Sequence, residues 1–228
     1  MLHPIRWLIR LLVVAVLVGA GFGAWYVFGS DAPAKPKLTD CAASSPGGPA
    51  TPTGTWKVAP GKEVYVGYRI TEVFRGDVIH KTAVGRTPGV TGTLKIAGRQ
   101  LTLTDITADM QKLASDRGTR DNYIHTHGID SNTYKQSKFK LTKPVALPTG
   151  LKKCTVERMT ATGSLTLHGV THTVNVPLQA RWSGPTIQVD GTDIAVKLAD
   201  YKITPPKTSV TQADDHGSIE FALTFTPA

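Results

Sequence analysis

Residues 163–178 read GSLTLHGVTHTVNVPL, and the fold turns on how they are read. Leu165 and Leu167 alternate with polar residues, and Val174, Val176 and Leu178 resume the alternation after His168, Gly169 and His172. Two histidines four apart share one face of a helix, which is the spacing of a helical zinc site. Period two on both sides denies the helix: a strand ends at Leu167, Gly169 supplies backbone freedom, and a second strand begins near Thr173. The stretch is a hairpin, and the histidines belong to its turn.

The same period runs outward through the chain. Val64, Val66, Tyr68 and Ile70 fall on one face; Leu94 and Ile96 pair with Leu101 and Leu103 across a turn at Gly98. Phe139 and Leu141 share a face, and Ile219, Phe221, Leu223 and Phe225 close the chain. Ile187 and Val189 run into Asp190-Gly191, a tight-turn signal, before Ile194, Val196 and Leu198. About eight or nine strands result, with the in/out alternation of antiparallel sheets that keep one face in water. Closing the sheet removes its edges, and about eight strands leave room for one small ligand; period alone does not separate a barrel from a sandwich. One stretch departs, residues 115–137. There Arg120 to His127 predicts a short helix ended by Gly128 as a left-handed cap, covering one end of the sheet.

Residues 1–28 predict a signal anchor. Leu11 to Phe28 is an 18-residue run without charge, preceded by Arg6 and Arg10 and ended by Trp25 and Tyr26. That length spans a hydrocarbon core, and the arginines set the N-terminus in the cytoplasm. The rest of the chain is then extracytoplasmic; secretion after signal-peptide cleavage is the alternative. Residues 29–54 have the Pro/Gly/Ala-rich composition of a linker, and residues 55–228 form the folded domain. The formal net charge is +9, and every basic residue but Arg6 and Arg10 lies beyond residue 28. Such a surface attracts anionic headgroups or wall polymers; nucleic acid is not expected there. The two cysteines, Cys41 and Cys154, are expected to form a disulfide in that oxidising compartment.

Catalytic constellations are wanting. No Gly-X-Ser-X-Gly is present, Ser164 sits on a strand, and Asp214-Asp215-His216 reads as a polar loop. Asp109, Asp116 and Asp121 show no acid/base spacing, and His125 and His127 diverge on the predicted helix. We expect no enzyme, no cofactor and no metal. Arg117, Arg120 and Asp121 lie at the presumed mouth, where arginines suit an anionic or polar headgroup; the plainer reading pairs Asp121 with an arginine. The strongest signal is diffuse: apolar inward positions on many strands, which is what a lipid carrier needs, since each buried methylene contributes about 0.8 kcal/mol.

GSLTLHGVTHTVNVPLQA resembles the YceI-like family segment G-x-L-T-L-x-G-V-T-x-x-V-x-x-P-L, and RGTRDNYI, ADYKITPP and DHGSIEFALTF are similar to further family segments. The first hairpin, and Tyr134-Lys135 where a proline is usual, mark a variant branch. The resemblance implies an all-β fold: an antiparallel eight-stranded lipocalin-like barrel with one short helix, here preceded by a transmembrane helix. It also implies an apolar tunnel for a polyisoprenoid or similar amphiphile in a bacterial envelope. The expected lining is Val66, Tyr68, Ile70, Leu94, Ile96, Leu101, Leu103, Phe139, Leu141, Leu165, Leu167, Val196, Leu198, Phe221 and Leu223. Expected partners are that lipid and a membrane, with a homodimer left open. The alternative is a non-enzymatic envelope scaffold or stress protein whose filled core leaves only the basic surface to bind anionic polymers.

Overall fold

The computed structural model describes residues 32–41, 47–74, 79–209 and 211–228. The expected anchor, residues 1–28, lies outside them; among the described residues no helix is long and apolar enough to cross a membrane. The chain divides into two compact units, Met1–Pro33 and Ala34–Ala228, and every element named below belongs to the second.

The strands are β1 (Gly54–Val58), β2 (Tyr65–Phe74), β3 (Ile79–Thr87), β4 (Val90–Ala97), β5 (Gln100–Asp109), β6 (Ala114–Ser115), β7 (Gln136–Leu141), β8 (Val145–Ala146), β9 (Val156–Leu167), β10 (Val170–Trp182), β11 (Ile187–Lys197) and β12 (Thr211–Pro227), with helix α1 (Gly118–Thr126) between β6 and β7. Eight antiparallel strands in the order β1-β4-β5-β7-β9-β10-β11-β12 form a closed barrel, because β12 returns to pair with β1 through Trp56–Pro227 and Val58–Phe225. Strands β2, β3 and β6 continue from the edge of β12. Closure pairs β1 with β12, so neither terminal strand of the ring is left as a free edge, the constraint that period two alone did not reveal.

The opening hairpin is tighter than its pattern suggests. Leu167 pairs directly with Val170, so His168 and Gly169 are the whole turn, at φ 49° and 72°. Both residues being left-handed makes it a two-residue turn of the kind whose twist suits flanking strands. A Cβ on Gly169 would stand 2.6 Å from the Tyr134 ring, so glycine is required there twice over.

Four expectations are corrected. Asp190-Gly191 is no turn: β11 runs through it with a bulge between Gly191 and Ile194, and Asp193 carries the positive φ of 58°. Gly191 is needed because a Cβ would meet the Phe221 ring at 2.5 Å. Asp214, Asp215 and His216 lie within β12, at the register shift against β2, instead of in a loop. The helix begins at Gly118, and Gly128 is not its left-handed cap; the nearest left-handed residue is Asp130, φ 47°. Leu103 does not pair with Leu94, which faces Thr104. A bulge puts Lys95 opposite Leu103 and Ile96 opposite Leu101, which turns Leu103 to the outside at 45% exposure.

Part of the expected linker is folded. Residues 34–41 cross the outer wall as a strap: Arg86 donates to the Ala34 carbonyl at 2.6 Å, Lys35 meets Asp193 at 2.7 Å, and Gln188 donates to Thr39 Oγ1 at 2.5 Å. Cys41 is bonded to Cys154, as the compartment argument expected. Nearby, Glu220 is fully buried on the outer wall between Arg69 and Arg86. Asp190 is buried as well, and burial raises its pKa against the opposing hydrogen bond from the Leu38 backbone and the charge of Arg181.

Two predictions follow from the strap. The disulfide closes a 113-residue separation, so replacing both cysteines by serine should cost about 2–5 kcal/mol, read from denaturant midpoints. Asp190 is protonated more readily in the fold than in the unfolded chain, so its contribution is present below the unfolded pKa and is lost as pH rises through the folded one. Asp190→Asn should therefore stabilise the protein at neutral pH, with the gain vanishing in melts below the ordinary aspartate range.

Candidate functional site

Apolar plugs fill the two ends of the barrel and leave a space between them. Trp56, Trp182, Ile187 and Phe225 pack the end where β10 finishes. The end where β10 begins is filled by Leu167, Val196, Tyr201 and Ile203, and by Met110 and Leu113 with Tyr68, Ile124 and Ile129 packed on them. Between the plugs lies a cavity of about 180 Å³, so the interior is not filled. Its wall draws on β2, β4, β5, β7 and β9–β12, and almost all of it is aliphatic or aromatic; the charged residues reaching it are Lys138, Glu157 and Arg181. Glycine shapes the wall at Gly163, where the Phe139 ring lies 2.4 Å from the place a Cβ would take.

Eight of the residues expected to line the tunnel are on this wall: Val66, Leu94, Ile96, Leu101, Phe139, Leu165, Phe221 and Leu223. Leu167, Val196 and Leu198 are instead in the plug around Tyr201, and Tyr68 is in the plug against Met110 and Leu113. Leu141 packs half-buried against the cluster of Ala161, Val176 and Ile194, while Ile70 sits opposite Ala83 on the β2–β3 hairpin, off the wall. Leu103 is outside the barrel, for the reason given by its bulge. The alternation also pointed to Val174, Val176 and Leu178, which the expected set passed over and which line the cavity. Met159, Ala161 and Trp182 carried less signal, because a methionine, an alanine and a strand-ending tryptophan do not by themselves mark a facing.

The arginines of the presumed mouth serve the scaffold and do not reach the cavity wall. Arg120 grips Glu72 through Nε and Nη2, both at 2.8 Å, and also bonds Asp116. Burial alone would lower its pKa, but the hydrogen bond and charge of Glu72 carry it upward. Asp121 does not pair with either arginine; it accepts from the Ser115 backbone at 2.8 Å and from the Ser115 hydroxyl at 2.6 Å. Arg117 lies 3.6 Å from Asp116. Together these bonds hold α1 to β2 and β6. Burial raises the pKa of Tyr68 beside them, and the Tyr68 hydroxyl has no hydrogen-bond partner.

The histidines are likewise structural. His168 Nδ1 donates to the Tyr201 carbonyl at 2.9 Å, and His172 Nε2 donates to the Asp200 carbonyl at 2.8 Å. A carbonyl only accepts, so both nitrogens carry hydrogen in these bonds. Edge contacts with Tyr134 at 4.4 Å and Tyr201 at 5.0 Å fix the rings. His125 Nδ1 meets Ser131 Oγ at 2.5 Å, and His127 stacks on Tyr123. Among the described residues no group of three or more His, Cys, Asp or Glu is placed to hold a metal ion. What the site offers chemically is an apolar volume inside the barrel whose affinity grows with the hydrocarbon it takes from water.

The family described as the YceI-like domain matches residues 56–225. The fold is similar to that of a polyisoprenoid binding domain from Saccharophagus degradans implicated in plant cell wall breakdown, at 15% identity and a TM-score of 0.58, covering 76% of this chain and 98% of that one. It is also similar to Burkholderia cenocepacia BcnA, at 20% identity and a TM-score of 0.52, over 69% of this chain and 95% of that one. The Campylobacter jejuni YCEI protein aligns at 16% identity and a TM-score of 0.50, over 63% and 84%. No curated protein matches the chain.

His172 lies in β10 opposite Leu165, not in the expected turn, and with His168 it braces the 198–201 segment. Replacing His168 or His172 by alanine should each cost about 1 kcal/mol of stability, the net worth of one hydrogen bond. Urea midpoints check the cost, and retention of any bound lipid checks that neither ring belongs to the site.

Proposed function

The chain belongs to the YceI-like domain family, and from that premise we propose that it binds and carries an isoprenoid-type or other long-chain amphiphile in the barrel cavity, outside a cell membrane to which residues 1–28 anchor it. The observation that carries this reading is the cavity itself: about 180 Å³, walled by eight strands with few charged groups. A site of this kind holds its ligand by hydrocarbon length, with little contribution from polar contacts. The Saccharophagus relative, described as polyisoprenoid binding, supports the ligand class. The cavity argues against the filled-core scaffold. The uncharged run from Leu11 to Phe28 behind two arginines supports the anchor, and the Cys41–Cys154 bond agrees with an oxidising, extracytoplasmic setting.

Native mass spectrometry of the full chain isolated from its own membranes, followed by organic extraction, tests the reading. A stoichiometric isoprenoid or quinone upholds it. A clean protein mass, unchanged after incubation with polyprenols and quinones, overturns it. Ala161 lies on the cavity wall at 3% exposure. Ala161→Phe should place a ring in the ligand's space, sharply reduce the extracted lipid per chain, and change stability by no more than about 1–3 kcal/mol.

A further inference from the structure

The barrel wall is not uniformly laddered. Strand β7 pairs with β9 only from Lys138–Thr166 to Leu141–Gly163, beyond which Thr142 donates to the Thr162 carbonyl through its backbone N–H and its hydroxyl. Strand β8 pairs with β5, at Gln100–Ala146 and Leu101–Val145, and has no ladder to β9. The Val156–Ala161 half of β9 is therefore unpaired on the side that faces β8. Cavity-lining residues stand on both banks of this gap: Leu101, Leu147 and Leu151 on one, Glu157 and Met159 on the other, all of them half-buried.

The surface around the gap has a distinct chemistry. Leu103, outside the barrel on β5, is the one large hydrophobic that is exposed among the described residues. Lys95 pairs with it across the ladder, and Arg99, Lys140, Lys143, Lys152 and Arg158 are exposed on the neighbouring turns and strands. The carboxylate among them is Asp105, 3.3 Å from Lys140; Glu157 lines the cavity. Lys153, on the same loop as Lys152, lies over the Trp182 ring at 5.4 Å.

The geometry points to a lateral portal between β8 and the lower half of β9, through which the barrel docks on an anionic lipid bilayer. The cations match an anionic headgroup layer, whose pull on clustered Lys and Arg acts within a Debye length. Leu103 is then the apolar contact with the acyl boundary, and the gap beside it is the shortest route from bilayer to cavity. The docking stands on this surface alone; passage of lipid through the gap rests on the carrier reading proposed above.

The test uses the full chain, its native disulfide intact, with Leu103→Cys labelled by an environment-sensitive nitrobenzoxadiazole dye. It is reconstituted in vesicles of phosphatidylcholine alone or phosphatidylcholine with phosphatidylglycerol. The expected result is a blue-shifted, several-fold brighter emission only with phosphatidylglycerol, which weakens as salt is raised from about 0.1 to 1 M and the Debye length falls from roughly 10 to 3 Å. Reversing Lys95, Lys143 and Lys152 to glutamate should abolish the signal, and the same reversal at Lys197, Lys202 and Lys207 should leave it unchanged; circular dichroism confirms that both variants fold. A label at exposed Ala195 on β11 should stay in water. No shift at residue 103, an equal shift in neutral vesicles, equal effects of the two reversals, or a matching shift at residue 195 overturns the proposal. Organic extraction of the same preparations keeps the two readings apart. Docking without bound lipid upholds the surface and removes the transfer; bound lipid without docking overturns the portal and leaves the carrier standing.

Discussion

Strand β12 has to satisfy three neighbours, and the barrel exists because it is long enough to do so. One edge pairs with β11 from Ile187–Phe225 to Lys197–His216. The other edge is shared: β2 takes it from Thr211 to Ala222, and β1 takes Phe225 to Pro227. The ring closes at that last pairing, where Trp56 and Phe225 are both buried to within 2% exposure. A shorter final strand would leave β1 with an open edge, and the apolar wall facing the cavity would be exposed along a seam. The bulges in β11 and β12 belong to the same constraint, since extra residues add the local bend and twist that closure demands.

The outer wall is held by a different device. Glu220 lies fully buried between Arg69 and Arg86, and Arg86 also covers the Tyr65 ring at 4.1 Å and reaches the Ala34 carbonyl. A buried pair of this kind gains little net stability, because desolvation offsets much of the attraction, but losing one partner strands the other charge. Its effect is to specify where the strap lies. Burial in the same place pushes the Tyr65 hydroxyl up to about 12. The disulfide then fixes the far end of the strap at Cys154, so a stretch with the composition of a linker becomes part of the wall.

Polar groups are spent on the frame, and the interior is left to hydrocarbon. The arginine of α1 holds Glu72, His168 of the β9–β10 turn and His172 of β10 hold the carbonyls of residues 201 and 200, and Asp121 holds Ser115. Each of these bonds is at an end of the barrel or on its outside. β8 and β9 share no ladder, and the exposed Leu103 lies on β5, the strand with which β8 pairs.

Much of this was legible in the residues. Period two in Leu165, Leu167, Val174 and Val176 marked strands, and the His168-Gly169 turn between them excluded a helical metal site, because alternation is a local consequence of the pleat. The Cys41–Cys154 bond matches the pairing expected of the chain's two cysteines. Facing was not always readable. A bulge shifts period two by one residue, and nothing in LTLTD announces that Leu101 points in and Leu103 out. Asp190-Gly191 has the chemistry of a turn, yet β12 pairs with residues on both sides of it, and β10 with residues 187–190, which keeps it in a strand. The partners of Arg120 and Asp121 were also decided in three dimensions, since Glu72 is 48 residues from Arg120 along the chain. By itself the sequence determined the strands, the hairpin turn and the apolar character of the interior. The tertiary structure alone decided which strands close the ring, which inward residues form plugs and which leave a cavity, because those depend on register and packing between segments distant in the chain.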